Sequence, residues 1–547
     1  MIGGLFRLWR TVSHLRLSQV YGRLKFNLFK PRPNLEPAPS RRAISAPWYS
    51  AAPREPSLNK MGEFIFLNEK GSLNHNGWDD PTKSKLWRYN QHYFDDLNAR
   101  DAETRAKQHR ALIIDWISFN LPGQGTGWEP YPTSLRIVNW IKWILVGNTP
   151  EPQMIQSLAV QTRWLSRRLE RHLLGNHLFV NAKALVYAGL FFDGPEAQRW
   201  LQLGTKILEK EISEQILRDG GQFELSPMYH ALAVEDMLDL VNIACVFEQD
   251  TLAKTCGKRV PLMLRWLVTM THPDGTLASF NDTASGIAPS VSILMKYAKT
   301  LGFDVPSYLP DRVHLINSGY ARLEKGPAVL ITDLAKVGPD YLPGHAHADT
   351  LSFELSLHGK RVVVNSGTSV YGVSQERIRQ RGTAAHSTLT IDGQNSSEVW
   401  SGFRVGRRAR PLDVRVEGNG TEVRAEGAHD GYRYLKGKPL HRRHWKLTPT
   451  GLSILDQIES RCSHEVIVRF HLAEGYHAES TTDGTVHILS EQEDEVLIFV
   501  AEGARTSVIE STLHPQFGIT VPNYSICLFA NTWKSTAIKS QLNWGLL

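Results

Sequence analysis

The hydrophobic periodicity of this chain changes once, and that change does most to limit the folds open to it. From about Leu86 to Leu301, apolar residues recur at several of the i, i+3, i+4 and i+7 positions of helix-length segments. From about Val313 they alternate at a spacing of two, in short segments punctuated by turns such as Asp392-Gly393. The pattern predicts an array of helices followed by a large antiparallel β-sandwich, and so a multidomain α+β protein.

The helical region predicts a series of stacked antiparallel helix pairs. At least seven amphipathic segments follow one another, joined by connections that contain Gly, Pro and Asp. Helices stacked in this way form an (α/α) solenoid or toroid, although no clean sequence repeat is visible. We expect the toroid over residues 85–312, the sandwich over residues 313–547 and a cleft between the two domains.

The first 30 residues predict a basic amphipathic helix. Arg7, Arg10, His14 and Arg16 interrupt every apolar run. The segment therefore lacks both the uninterrupted core of a secretory signal and the roughly 18 apolar residues of a membrane span. Such a helix can dock on the protein's own body or lie on an anionic membrane surface. We expect a cytoplasmic or inner-membrane-associated protein, with the periplasm as the alternative.

Two shorter patterns complete residues 1–84. Residues 31–56 are rich in Pro, Ala and Ser and predict an extended linker or a wrapping arm. Residues 64–80 predict a small hairpin that turns at Asn76-Gly77. Neither pattern carries an obvious chemical function.

Composition limits the partners of the chain. Its formal net charge of +7 favours polyanions, which include nucleic acid, anionic lipid and acidic polysaccharide. No recognised nucleic-acid-binding module is present. The four cysteines form no C-x-x-C pair, which argues against a cysteine zinc site and a disulfide scaffold.

The most informative motif is Gly344-His345-Ala346-His347-Ala348-Asp349, at the mouth of a predicted strand. Side chains two residues apart on a strand project to the same side, so the imidazoles of His345 and His347 lie close together, with a carboxylate two residues on. Each ring must be hydrated, hydrogen-bonded or metal-bound. The motif thus predicts a hydrated pair, a metal site or a catalytic base.

Three segments of the helical half carry further candidates. Asn176-His177 opens an apolar helix, where the pair could serve only as a cap. Tyr229 follows the N-cap and N1 pair Ser226-Pro227 and so lies in the first helical turn, as a chemical group or as a packed aromatic residue. The third segment is an aromatic loop that leads into a helix and suits either a sugar-binding groove or core packing; its candidates are Trp128, Tyr131 and Arg136.

Together these segments resemble the heparinase II/III family of polysaccharide lyases, which share an (α/α) toroid followed by an antiparallel β-sandwich. They occur in the family's order between about residues 85 and 400, and the rest of the sandwich fits by pattern alone. The run of residues 395–410 is similar to members found among bacterial exopolysaccharide and O-antigen genes. The matching segments are residues 86–97 (LWRYNQHYFDDL), Gly175 to Leu178, Glu224 to His230, Gly344 to Asp349, and Ala385 to Leu389.

The resemblance implies β-elimination on a uronic-acid-containing acidic polysaccharide. Such a reaction must neutralise the uronate carboxylate, remove the C5 proton and protonate the leaving oxygen. The resemblance implies that Asn176 and His177 bind the substrate carboxylate. It implies that Tyr229 acts as the acid and also as a base, and that His345 acts as a base or stabilises charge. Further substrate-binding candidates are Glu224, Tyr371 and Arg404, the last in a basic run that could equally be a solvated strand face.

Some family members carry a structural zinc ion, and the matching ligand positions here are His347, Asn365 and His386. Asn365 stands where the family has a carboxylate, and a neutral amide is a poorer zinc ligand. Water or Asp349 is the alternative third ligand.

Other functions fit parts of the sequence. A non-catalytic polysaccharide-binding or assembly protein would share the fold. A glycoside hydrolase on an (α/α) toroid would need two carboxylates, available among Glu129, Glu224 and Asp282. The H-x-H-x-D motif also opens the metal site of metallo-β-lactamase-type hydrolases, but Thr350 occupies the place of their next histidine.

Overall fold

The computed structural model describes residues 2–59, 62–73, 77–492, 494–532 and 534–545. Within these residues, ten helices lie between residues 85 and 300, two precede them and one interrupts the strand-rich half. The α-helices are α1 (Ile2–Val12), α2 (Leu17–Leu28), α3 (Lys85–Tyr93), α4 (Ala106–Phe119), α5 (Pro130–Leu145), α6 (Pro152–Arg167), α7 (Gly175–Phe191), α8 (Pro195–Gln215), α9 (Pro227–Val246), α10 (Asp250–Gly257), α11 (Val260–Thr269), α12 (Val291–Thr300) and α13 (Gln375–Arg381).

Helices α5, α7 and α9 are buried on nearly all sides. A helix with apolar residues all round its surface must be covered by protein, and α7 accordingly packs against α5, α8 and α9. Gly189 of α7 allows the closest of these approaches, because a Cβ there would lie 2.5 Å from the Leu201 backbone nitrogen of α8. The predicted helical array is confirmed.

The strand-rich half forms two large antiparallel sheets that pack face to face. The strands are β1 (Phe64–Phe66), β2 (Glu69–Gly71), β3 (Arg312–Leu315), β4 (Tyr320–Lys325), β5 (Ala328–Asp333), β6 (Phe353–Leu357), β7 (Lys360–Val364), β8 (Leu389–Ile391), β9 (Val399–Trp400), β10 (Arg404–Val405), β11 (Pro411–Gly418), β12 (Val423–His429), β13 (Leu440–Thr448), β14 (Gly451–Glu459), β15 (His464–Leu472), β16 (Tyr476–Ser480), β17 (Val486–Ser490), β18 (Glu495–Glu502), β19 (Arg505–Leu513), β20 (Val521–Thr532) and β21 (Ser535–Asn543). One sheet has the order β11-β12-β13-β14-β21-β18-β17-β16, and the other β19-β20-β15-β7-β6-β5-β4-β3 with β8 paired to β15. Alternate residues of β13 and β14 are buried between the sheets, as the period of two predicts.

The N-terminal region differs from the prediction in two details. The expected single helix is two helices, α1 and α2, and β1 and β2 form a hairpin that turns at Leu67-Asn68, where both residues have positive φ. The predicted turn at Asn76-Gly77 begins at a residue outside the described part. Residues 31–56 run as an extended arm along the helical domain, with backbone bonds such as Arg42 N–H to the Phe191 carbonyl at 2.9 Å. In the described part of the chain, no helix combines the length and apolar character needed to cross a membrane.

The two domains interlock through two loops. The Asp282 N–H donates to the His345 carbonyl at 3.0 Å, and the His347 N–H donates to Asn281 Oδ1 at 2.9 Å. In the opposite direction, the Asn281 N–H donates to Asp349 Oδ2 at 3.1 Å. These bonds place the H-x-H motif of the sandwich against the helical domain.

Candidate active site

Tyr229 lies in the first turn of α9, at the junction of the two domains. Ser226 caps this helix, because its Oγ accepts a hydrogen bond from the Tyr229 N–H at 3.2 Å, and Pro227 occupies the first helical position. The Ser226 hydroxyl donates in turn to the backbone carbonyl of Asp282 at 2.7 Å. The predicted cap is confirmed, and it also ties Tyr229 to the loop that carries Asp282.

Asp282 holds both histidines of the H-x-H motif. Its Oδ2 lies 2.9 Å from Nδ1 of His345, and its Oδ1 lies 2.9 Å from Nε2 of His347. The guanidinium of Arg377 pairs with both carboxylate oxygens from the other side. Asp282 and Arg377 are fully buried, so each charge compensates the other away from water.

The Asp282 carboxyl is ionised. Burial alone would raise its pKa, but the charge of Arg377 and hydrogen bonds from His345, His347 and Arg377 hold that pKa well below its usual range. An ionised carboxylate can only accept hydrogen bonds, so Nδ1 of His345 donates to Asp282. This contact fixes the orientation of the ring and leaves Nε2 as the nitrogen on the opposite side from Asp282.

The ring of His345 faces the ring of Tyr229, with centroids 3.9 Å apart and planes inclined by 31°. The Tyr229 hydroxyl lies 3.2 Å from the hydroxyl of Tyr371. Burial, together with the neighbouring Tyr371 and the charge of Asp282, raises the pKa of Tyr229 well above its ordinary value. Tyr229 is thus a neutral phenol, which carries a proton and cannot act as a base in that form.

Glu224 connects this pair to the start of α7. Its Oε2 lies 3.6 Å from Nε2 of His345, and the side chain is buried. On its other side it lies against Gly175, the residue before Asn176, where a Cβ would come 3.1 Å from Glu224 Oε1 and overlap Leu342. Gly175 has a φ of +52°, so both its conformation and its surroundings require glycine.

Asn176 and His177 group around Tyr131. The Asn176 amide donates to the Tyr131 hydroxyl at 3.0 Å, and the rings of Tyr131 and His177 lie 4.5 Å apart. Nδ1 of His177 lies 3.2 Å from Glu170 Oε1. Burial lowers the pKa of His177, but the charges of Glu170 and Glu224 outweigh it and the net shift is upward. The His177 imidazole therefore keeps its positive charge to higher pH than a free one.

Comparison with known families gives a match to each of the two domains. The description "Heparinase II/III N-terminus" matches residues 115–302, and "Heparinase II/III-like, C-terminal" matches residues 309–540. The chain belongs to the heparinase II/III-like family. The resemblance predicted from the motifs is confirmed, since the two matches cover both the helical domain and the sandwich of this heparinase II/III-like chain.

Individual relatives share part of this chain's sequence and nearly all of its fold. A heparin-sulfate lyase of Bacteroides stercoris is 28% identical over 268 residues, which are 45% of this chain and 40% of that protein. A heparin-sulfate lyase of Pedobacter heparinus is 30% identical over 273 residues, 44% of this chain and 40% of the relative. Both matches therefore span less than half of the relatives' length. A crystal structure of heparinase III superposes with a TM-score of 0.68 at 18% identity, covering 97% of this chain and 86% of that one, and shows the shared fold.

Two predicted sugar-binding residues belong instead to the core of this heparinase-like helical domain. Trp128 is 3% exposed, and its ring packs against Trp116 and Trp164. Arg136 is fully buried, donates to the Gly127 carbonyl at 2.8 Å and lies 3.8 Å from the Trp116 ring centre. The prediction is wrong for these two, because the short turn before α5 buries Trp128 and α5 itself directs Arg136 inward. Tyr131, from the same segment, does lie with Asn176 and His177.

Arg404 also lies apart from the candidate catalytic residues. Its guanidinium is 4.8 Å from the ring of Trp400 on the paired strand. The preceding residue, Phe403, contacts the site, with its ring 5.2 Å from Tyr371 and 6.1 Å from His345. Phe403 lies in the turn just before β10, and its apolar ring, rather than the guanidinium of Arg404, forms this wall of the site.

His347, Asp349 and His386 form a buried group whose ligand atoms all lie within 4.8 Å of one another. Neither ring nitrogen of His386 makes a hydrogen bond in the described structure, nor does Nδ1 of His347. Asn365, the predicted middle ligand, uses its Oδ1 to accept the Ser387 N–H at 3.0 Å. Asp349, the alternative third ligand, thus lies with the two histidines, while Oδ1 of Asn365 is engaged by a backbone N–H.

Three residues of the site were not predicted for the lyase: Asp282, Arg377 and Glu170. Asp282 was considered only as a hydrolase carboxylate, and Arg377 lies in a short basic helix, QERIRQR, whose pattern is typical of a solvated surface. Glu170 pairs with the nearby His177, whereas Arg377 pairs with Asp282 across 95 positions. A single sequence contains no local signal for such a distant pair.

Proposed function

We propose that this chain is a polysaccharide lyase that cleaves a uronic-acid-containing acidic polysaccharide by β-elimination. The observation that carries the proposal is the stack of His345 on Tyr229, with Asp282 holding the far side of the imidazole. It puts a proton acceptor and a proton donor side by side. The names of the curated relatives, heparin-sulfate lyases, support a uronate polymer as the substrate class.

The start of α7 supplies the group that binds the substrate carboxylate. The amide of Asn176 donates hydrogen bonds, and the raised pKa of His177 keeps a positive charge beside it. Neutralising the uronate carboxylate stabilises the negative charge that develops when the C5 proton leaves. Tyr131 orients this pair, because it contacts both side chains.

The elimination then needs one base and one acid. Nε2 of His345 takes the C5 proton, the C5–H electrons form the C4=C5 double bond, and the C4–O bond breaks. Tyr229 gives its phenolic proton to the departing oxygen, which becomes a hydroxyl group. Return of the proton from the imidazolium to the stacked phenolate restores both residues, and no water is consumed.

The decisive experiment follows the ultraviolet absorbance of a 4,5-unsaturated uronate across a panel of acidic polysaccharides. Tyr229→Phe and His345→Ala should each abolish the signal of an active polymer while circular dichroism stays unchanged. Two residues outside the site offer matched controls: Tyr308→Phe at an exposed side chain and His477→Ala at a partly exposed one should each retain full activity. Retained activity in both site variants would overturn the mechanism.

The same assay separates the rival functions. A glycoside hydrolase would release reducing ends without new absorbance, and a non-catalytic protein would bind glycan without either signal. Asp282 is poorly suited to a hydrolase's acid, since its carboxyl is ionised and paired with Arg377. A role in exopolysaccharide, capsule or O-antigen metabolism stays a prediction, as does the compartment.

We further propose that His347, Asp349 and His386 hold a structural zinc ion. The donor set suits zinc, and a cation would satisfy the ring nitrogens of His347 and His386 that make no hydrogen bond. Burial raises the pKa of Asp349 to about 6, so a nearby cation would favour its ionised form. When bound, zinc would cross-link the H-x-H strand to the segment that carries His386. Metal analysis of the purified chain tests this.

A further inference from the structure

The N-terminal helix pair, residues 2–29, exposes an apolar surface unlike the rest of the molecule. Of the 26 large hydrophobic side chains exposed in the described residues, 12 lie in this segment. Leu17 and Leu28 are 88% and 83% exposed, and Trp9 is 68% exposed. The twelve are Leu5, Phe6, Leu8, Trp9, Val12, Leu15, Leu17, Val20, Tyr21, Leu24, Leu28 and Phe29. Contiguous exposed apolar patches of this kind mark surfaces that bind another protein, a membrane or a ligand.

The helix pair is attached to the body by polar contacts. Arg10 donates to both carboxylate oxygens of Glu398, at 2.8 and 3.0 Å, and thereby ties α1 to the sandwich. Arg16 pairs with Glu214 of the helical domain, and the buried Gln19 donates to a backbone carbonyl at 3.2 Å. A helix that merely covers its own protein would bury its apolar side. In this pair the ion pairs face inward and most of the large apolar side chains face outward, although Phe26 packs inward against His172.

The charge of the same segment indicates what the apolar surface meets. Residues 1–32 contain seven Lys or Arg and no Asp or Glu, which equals the net charge of +7 for the whole chain. The rest of the chain is therefore formally neutral. Four of the seven basic residues are exposed and form no ion pair within the described residues: Arg23, Lys25, Lys30 and Arg32.

We propose that the N-terminal helix pair binds the surface of an anionic lipid bilayer. Apolar side chains flanked by basic ones lie flat in a membrane interface, where the acyl region receives the leucines and aromatic rings and acidic head groups attract the cations. Charge repulsion argues against a second copy of this chain as the partner of this apolar surface, because a symmetric contact would bring two basic segments together. The inference does not depend on the proposed lyase activity.

Vesicle co-sedimentation of the full chain tests the proposal directly. The protein should sediment with vesicles of phosphatidylcholine and phosphatidylglycerol, much less with phosphatidylcholine alone, and less as salt rises. Equal binding to both vesicles, or none to the acidic ones, would overturn the proposal without any variant.

A matched pair of variants locates the contact. Leu17→Glu with Leu28→Glu should weaken binding to acidic vesicles by about tenfold or more. Tyr308→Glu with Ile316→Glu adds the same charge at two exposed apolar residues elsewhere and should leave binding near that of the parent. Equal loss in both variants would contradict a specific site. A concentration-dependent dimer that only the first variant abolishes, with no vesicle binding by the parent, would instead assign the surface to a second copy.

Discussion

His345 of the sandwich lies face to face with Tyr229 of the helical domain, with ring centroids 3.9 Å apart. The proposed proton acceptor and the proposed proton donor therefore come from different domains, and neither domain contains the candidate site alone. The loop of Asn281 and Asp282 secures the contact, since it bonds to the backbone of both histidines in the H-x-H motif. Catalysis should thus depend on the buried charges that hold this loop.

Asp282→Asn should lower the elimination rate by about 10²-fold or more, because His345 loses the carboxylate that fixes its orientation. It should also lower the free energy of unfolding by about 3–5 kcal/mol, since Arg377 is left as a buried charge without a partner. Initial rates and urea unfolding measure the two effects.

A double variant separates the effect of Asp282 on the orientation of His345 from its effect on the stability of the fold. Asp282→Asn with Arg377→Met removes the unpaired charge and should regain much of the lost stability. Its activity should stay low, because His345 is still not held. Recovery of full activity in the double variant would show that Asp282 acts through stability alone.

Activity should fall on the alkaline side as His177 loses its proton. Burial lowers the pKa of His177, but Glu170 and Glu224 raise it further, and the net value lies above the ordinary 6.5. Glu170→Gln should therefore move the alkaline midpoint of kcat/KM to lower pH. An unchanged midpoint would exclude His177 as the group that titrates.

The pair of His177 and Glu170 should also make the free energy of unfolding depend on pH. A raised pKa in the folded state means that the contribution is fully present below the unfolded imidazole value of 6.5 and disappears as the pH rises through the folded value. The difference in unfolding free energy between the parent and Glu170→Gln should therefore shrink with increasing pH.

Zinc content should follow the ligand set that the structure brings together. His386→Ala should lose the metal, and Asp349→Asn should bind it more weakly, because a neutral amide is a poorer ligand than a carboxylate. Asn365→Ala serves as the matched control and should keep one zinc per chain. Elemental analysis and the effect of a chelator on Tm provide the readouts; loss of zinc only in Asn365→Ala would restore the original prediction.

Trp128→Ala should act on stability rather than on substrate binding. Removal of this buried ring should lower the free energy of unfolding by about 3–5 kcal/mol. KM of the folded enzyme should stay near that of the parent. Phe119→Ala, at a side chain that is 74% exposed, is the control and should change stability little. A raised KM with unchanged stability would return Trp128 to the substrate groove.

The architecture and several site residues could be predicted from local pattern. The change of period near Val313 separates helices from strands, because core burial imposes the repeat of each element. Ser226 and Pro227 predict that Tyr229 begins a helix, since a cap depends on neighbours in sequence. His345 and His347 share a side for the same reason.

Tertiary structure alone decided which distant groups meet. It pairs Asp282 with Arg377, puts Asp349 beside His347 and His386, and buries Trp128. It also turns the apolar side of the N-terminal helices outward. Sequence pattern records the local preferences of a segment and the face it can bury, whereas these contacts depend on how whole elements pack, and that packing is a property of the complete fold.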